Sequence, residues 1–173
     1  NELEMFPGES RLTFARAFDW LRGRPPGPFF MFLHTYEVHS PYLPYDTPKN
    51  RGILAALSKG YKGRFESVFT PWDELAHNAG TEVLSEEEMR RVRALYDAET
   101  SDLDEQFGLL LSVLAELGLV ESTLLVVTSD HGEEFGEHGF IGHGETLHEQ
   151  ALRVPLIFYF PGTVPSGRRI PGA

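Results

Sequence analysis

Apolar residues occur in two kinds of run along this chain, one periodic and one continuous. Phe14, Ala17, Phe18 and Leu21 recur at three- and four-residue steps between Ser10, which can cap, and Gly23, which can stop, so residues 10–22 are predicted as a short amphipathic helix. Pro25, Pro26 and Pro28 end it, and Phe29-Phe30-Met31-Phe32-Leu33 follows as an unbroken apolar run of the length expected for a strand buried on both faces. Further on, Ser85 with Glu88 three residues later has the form of a capping box. Met89, Val92, Tyr96, Leu103, Phe107, Leu110, Leu114 and Leu117 then keep helical phase up to Gly118, predicting one long helix over 85–117 with Gly108 as the place for a bend. Two more apolar runs, 124–128 and 156–160, are predicted strands. Residues 50–80 carry a short helical pattern around 53–57 interrupted by Gly60, Gly63, Pro71 and Gly80, and read as an irregular surface excursion. Strands separated by helices predict a layered α/β fold with a mixed, mostly parallel sheet and flanking helices.

Composition narrows this picture. With 173 residues and 41% hydrophobic content the chain can bury one core, a single domain or a large piece of one. A formal charge of -11 disfavours nucleic acid and anionic membrane surfaces as partners, although a local cation can still create an anion pocket. The absence of cysteine excludes disulfides, thiolate metal sites and a cysteine nucleophile. No apolar stretch approaches the roughly 18 residues of a membrane span, and residues 1–8 lack the form of an export signal.

The chemistry concentrates after the second strand. Four of the seven histidines, His131, His138, His143 and His148, fall between positions 131 and 148, where proportion would place fewer than one. Gly132, Gly136, Gly139, Gly142 and Gly144 punctuate the same stretch, so 129–150 is predicted as a loop rather than a helix. A histidine-dense loop leaving the carboxyl end of a buried strand is where open α/β sheets place ligands. Asp130 and His131 offer a carboxylate oxygen and an imidazole nitrogen at a strand end, and Gly132 lets the chain turn away, a pair able to reach one divalent cation. Two ligands leave the site incomplete. His77 and His148 carry no such signal, and Glu149 with Arg153 reads as a structural ion pair.

Thr128-Ser129-Asp130-His131-Gly132-Glu133-Glu134-Phe135-Gly136-Glu137-His138-Gly139, then His143-Gly144 and Leu152-Arg153-Val154-Pro155-Leu156-Ile157, resembles the sulfatase family of the alkaline phosphatase superfamily. Phe32-Leu33-His34-Thr35-Tyr36-Glu37-Val38-His39-Ser40-Pro41-Tyr42 is similar to that family's other histidine segment, in the same order. The resemblance covers roughly residues 28–162 and implies an incomplete alkaline-phosphatase-like fold whose activity is sulfuric ester hydrolysis. It implies that Asp130 and His131 bind the metal, calcium by family habit, with zinc or manganese suited to the imidazole at 131. His39 would face the sulfuryl or phosphoryl oxygens, His143 would donate to the leaving group, and His34 and His138 would line the substrate pocket. The family's nucleophile is a formylglycine made from Cys or Ser in a Cys/Ser-x-Pro-x-Arg motif, or a Thr, and no residue here heads such a motif. The resemblance therefore implies a carboxy-side piece of a catalytic domain, inactive alone, whose nucleophile and remaining ligands lie outside it.

Three functions fit this reading. The first is a sulfatase acting on a small-molecule or glycan sulfate ester, with the periplasmic or extracellular setting common in the family. The second is a phosphonate or phosphodiester hydrolase, or a phosphoethanolamine-type transferase, of the same superfamily. The third is a binding module that keeps the fold without catalysis.

Overall fold

The computed structural model describes residues 10–170. Helix α1 (Ser10–Gly23) buries Phe14, Ala17 and Leu21. Helix α2 (Pro48–Leu57) starts at Thr47, whose hydroxyl accepts the Asn50 N–H, with proline in its first turn. Helix α3 (Pro71–Asn78) and helix α4 (Glu86–Glu116) both open with reciprocal capping boxes, Thr70 with Asp73 and Ser85 with Glu88. Helix α4 runs unbroken through Gly108 and ends where Gly118 takes φ 67°. There the Leu119 N–H reaches the Leu114 carbonyl and the Gly118 N–H the Ala115 carbonyl, a left-handed glycine stop.

Strand β1 (Leu125–Thr128) pairs antiparallel with β4 (Leu156–Tyr159), Leu125 opposite Tyr159 and Thr128 opposite Leu156. Between them lie a small hairpin, β2 (Glu134–Phe135) with β3 (Ile141–Gly142), and one helical turn, α5 (Glu149–Leu152). The fold is thus mixed α/β, and the ladders among the described residues are antiparallel. No helix among them is long and apolar enough to cross a membrane.

Two expectations need correction. The segment 29–33 is not a strand buried on both faces: it joins no ladder among the described residues. Its side chains alternate, with Phe29, Met31 and Leu33 packed inward while Phe30 and Phe32 are 89% and 78% exposed. The physical reason is that an extended run needs a neighbouring strand for its amides and a second layer for its outer face, and the described residues supply neither. Residues 50–80 are also no surface excursion, because Tyr61, Phe65 and Phe69 stand in the core. Gly60, at φ 76°, turns the chain after α2, and Pro71 opens α3.

Helix α4 is the spine of both apolar clusters. Its amino-terminal half brings Val92 and Leu95 against Tyr42, Phe65, Phe69 and Ile141, and its carboxy-terminal half brings Leu110, Val113 and Leu114 against Phe14 and Leu21 of α1. Each such side chain contributes about 1.5–3 kcal/mol on full burial. The same helix buries Glu99 and Asp102, each 1% exposed. The Leu43 N–H donates to Glu99 at 2.6 Å, and the Tyr45 N–H and Asn50 amide donate to Asp102 at 3.3 and 2.7 Å. Glu37, also buried, accepts the first N–H of α1 from Ser10 at 3.0 Å. These bonds fasten the 34–45 loop, which carries His39, to α4 and α1.

Burial pushes the Glu99 carboxyl up to about 9 from 4.5, against the opposing pull of the Leu43 N–H. The folded state therefore holds a proton that the unfolded chain releases, and this contribution to stability is full below about pH 4.5 and lost as pH rises toward 9. Glu99→Gln keeps an acceptor for Leu43 and removes the titration. Its melting temperature is expected to fall less than that of the parent between about pH 5 and about pH 9, and parallel curves in thermal denaturation would contradict the assignment.

Candidate active site

The end of β1 delivers Asp130 and His131, and Gly132 then turns the chain against α5. The Gly132 N–H donates to the Ala151 carbonyl at 2.7 Å, and a Cβ at position 132 would lie 2.0 Å from the Gln150 carbonyl oxygen. Only glycine allows two backbones so close. The β2–β3 hairpin is clasped by Asn78 of α3, whose amide donates to the Ile141 carbonyl at 2.8 Å and accepts its N–H at 2.9 Å. Phe135 packs on Tyr96 and Tyr42. The predicted loop 129–150 thus contains a hairpin, because positive-φ glycines at 136, 139 and 142 permit the reversal.

Three imidazoles from distant segments meet here. The rings of His131 and His143 stack at 3.7 Å, His39 stands edge-on to His143 at 5.0 Å, and His39 and His131 are 6.5 Å apart. Each ring is anchored through Nδ1: His39 to the Ser40 carbonyl at 2.6 Å, His131 to the Gly132 carbonyl at 2.8 Å, and His143 to the Glu133 carboxylate at 2.9 Å. A carbonyl oxygen only accepts, so Nδ1 of His39 and of His131 carries a proton and Nε2 is left for another partner. The Nε2 of His131 lies 3.8 Å from Oδ1 of Asp130. Asp130 is largely exposed, and backbone N–H donors, then the nearby His131, hold its carboxyl below the usual range despite slight desolvation.

Behind His143, the buried Glu133 carboxylate also accepts the Tyr42 hydroxyl at 2.9 Å. Burial first, then the Glu133 charge, raises the Tyr42 phenol well above its ordinary value, so it stays a neutral donor. Half-buried Glu74 completes this floor; burial and then Glu133 raise its carboxyl, with His143 and His39 opposing.

Of the residues singled out in the sequence, His39, Asp130, His131 and His143 come together. His34 borders them: its ring meets Tyr36 at 5.0 Å, Tyr36 meets His39 at 5.4 Å, and its charge is felt at Asp130. His138 instead stacks on His148 at 3.6 Å and donates through Nδ1 to Glu134 at 2.8 Å. Glu134 is 1% exposed. Burial opposes its ionisation, yet hydrogen bonds from Thr146 and His138 keep its carboxyl below the ordinary range. Glu133, Tyr42, Glu74 and His148 were not legible as site residues. Glu133 stands inside the motif, but nothing local announces partners 10 residues ahead and 91 residues behind.

The family model described as Sulfatase matches residues 5–171. Human iduronate 2-sulfatase is 32% identical over 156 residues, covering 80% of this chain and 28% of that protein. An arylsulfatase of Clostridium perfringens is 27% identical over 158 residues, covering 88% of this chain and 32% of that protein. In structure, the phosphonate monoester hydrolase of Agrobacterium radiobacter aligns with a TM-score of 0.61 at 22% identity, covering 89% of this chain and 33% of that one, which is a likeness of fold. The chain spans about a third of the length of these relatives.

Gly132→Ala is expected to destabilise the chain by about 1–3 kcal/mol, read from the denaturant midpoint, because the backbone at Gln150 must move. Gly108→Ala, whose Cβ would meet nothing within 4 Å, is the control and is expected to be neutral or to gain up to about 1 kcal/mol. Equal midpoints for the two variants would refute the close approach at 132.

Proposed function

The chain belongs to the sulfatase family, and from that premise we propose that it supplies the metal-binding and proton-donating half of an active site that hydrolyses sulfate esters of small molecules or glycans. The observation that carries this reading is the convergence of three Nδ1-anchored imidazoles beside the Asp130 carboxylate.

A carboxylate oxygen and an imidazole nitrogen 3.8 Å apart form a donor pair that suits a divalent cation. The Nδ1 proton of His131 is committed to the Gly132 carbonyl, the kind of outer bond that orients metal-bound histidines and leaves Nε2 as the ligand atom. The imidazole favours zinc or manganese over the calcium of family habit. When bound, the cation supplies Lewis-acid stabilisation of anionic oxygen. Further ligands and the nucleophile, a formylglycine by family resemblance, belong to parts of the family fold outside this chain.

His143 is suited to general acid catalysis. In its protonated form it offers Nε2–H to the departing oxygen while Glu133 steadies the cationic ring through Nδ1. After transfer the ring is neutral, still bound to Glu133, and has not turned. The Tyr42 hydroxyl holds Glu133 in place, which makes Glu133 and Tyr42 positioning residues. His39, at 5.0 Å from His143, is placed to hydrogen-bond the oxygens of the transferred group, with His34 at the rim. The exposed apolar faces of Phe30, Phe32, Val126 and Phe158 support cover by a further layer of the family fold, in which a mostly parallel sheet would be flanked by helices.

In the full-length protein, His143→Ala is expected to lower kcat by about 10²–10⁴-fold on alkyl sulfates and far less on 4-nitrophenyl sulfate, whose leaving group needs little protonation. Equal losses on both substrates would remove His143 from the acid role. Asp130→Asn is expected to abolish turnover of both and to weaken the metal dependence. Faster hydrolysis of a phenyl phosphonate monoester than of either sulfate would transfer the chemistry to phosphonate esters.

A further inference from the structure

The second histidine cluster has its own logic. Glu134, His138 and His148 each bring a ligand atom within 4.8 Å of the other two. A tetrahedral zinc ion with bonds of about 2.0–2.2 Å needs its ligands about 3.3 Å apart, so modest side-chain adjustment closes the set. Glu134 is the inner ligand, fully buried at the start of β2, while His138 and His148 lie toward solvent and leave a route for the ion. Among the described residues the side-chain hydrogen bonds that reach this buried carboxylate come from Thr146 and from Nδ1 of His138, whose ring lies parallel to that of His148 at 3.6 Å. Two imidazoles beside a buried carboxylate are the ligand set that zinc takes.

We propose that Glu134, His138 and His148 form a second metal site, of the two-histidine, one-carboxylate kind and suited to zinc, separate from Asp130 and His131. The ion would join β2 to the segment just before α5 and so close a ring around His143, which lies between two of the ligands in the chain. Thr146, already bonded to Glu134, or water supplies the fourth contact. This inference does not depend on the sulfate-ester reading, because neither Asp130 nor His131 takes part.

The test uses the 173-residue chain carrying Asp130→Asn and His131→Ala as host, so that the first site is disabled, and zinc chloride as probe. The host is expected to bind one zinc ion per chain in titration calorimetry, and cobalt(II) in its place to give the intense visible spectrum of four-coordinate geometry. Adding His148→Phe is expected to weaken zinc binding by at least about 10-fold, the lower end of what even outer-shell changes cost. Far-UV circular dichroism without metal checks the fold, and Glu134→Gln, which keeps the side-chain volume, serves if His148→Phe does not fold. A host that binds no zinc, or binding unchanged by both His148→Phe and Glu134→Gln, would overturn the proposal.

Discussion

The arrangement of this protein depends on buried carboxyl groups that hold backbone amides inside the fold. Glu99 and Asp102 project from the middle of α4 into the 43–50 segment, and Glu37 reaches back to the first turn of α1. Each accepts donors that would otherwise be buried without partners, an omission costing about 1–3 kcal/mol apiece. Because α4 also anchors both apolar clusters, these bonds set the loop bearing His39 at a fixed height above the spine. Some carboxylate oxygens in this group, including Oε2 of Glu99, have no hydrogen-bond partner among the described residues, and the raised Glu99 value is the electrostatic consequence.

The imidazole cluster applies the same rule at the candidate site. A histidine ring is a useful donor or ligand only when its tautomer and orientation are set, and here one nitrogen of each ring is tied to a carbonyl or a carboxylate. His143 gains an additional layer, since Tyr42 fixes the carboxylate that fixes the ring. The result is a set of three rings with little freedom to rotate, carried on loops that are themselves clamped by Asn78 and by the Gly132 approach to α5. Rigid supports of this kind allow loop residues to serve chemistry.

One face of the structure remains apolar and open. Phe30 and Phe32 alternate with inward-facing neighbours, and all four residues of β4 are about half exposed. The chain spans about a third of the length of the relatives it matches.

Local signals were legible in the sequence. The capping box at Ser85 acts over three residues, the stop at Gly118 depends on one residue's backbone, and the phase of α4 repeats within two turns. The histidine-rich motif after β1 likewise marked Asp130, His131 and His143 as candidates, and the 32–42 motif marked His39. What the sequence left open was company. It marked the first and the long helix and the extended runs, but neither α3 nor the β2–β3 hairpin, and it named His39, Asp130, His131 and His143 as candidates. Only the tertiary structure decided that Tyr42 and Glu133, 91 positions apart, share a bond, that His148 stacks on His138, and that residues 50–80 complete the core. The reason is that propensity and periodicity act over a few residues, whereas burial and hydrogen-bond pairing are properties of the closed chain.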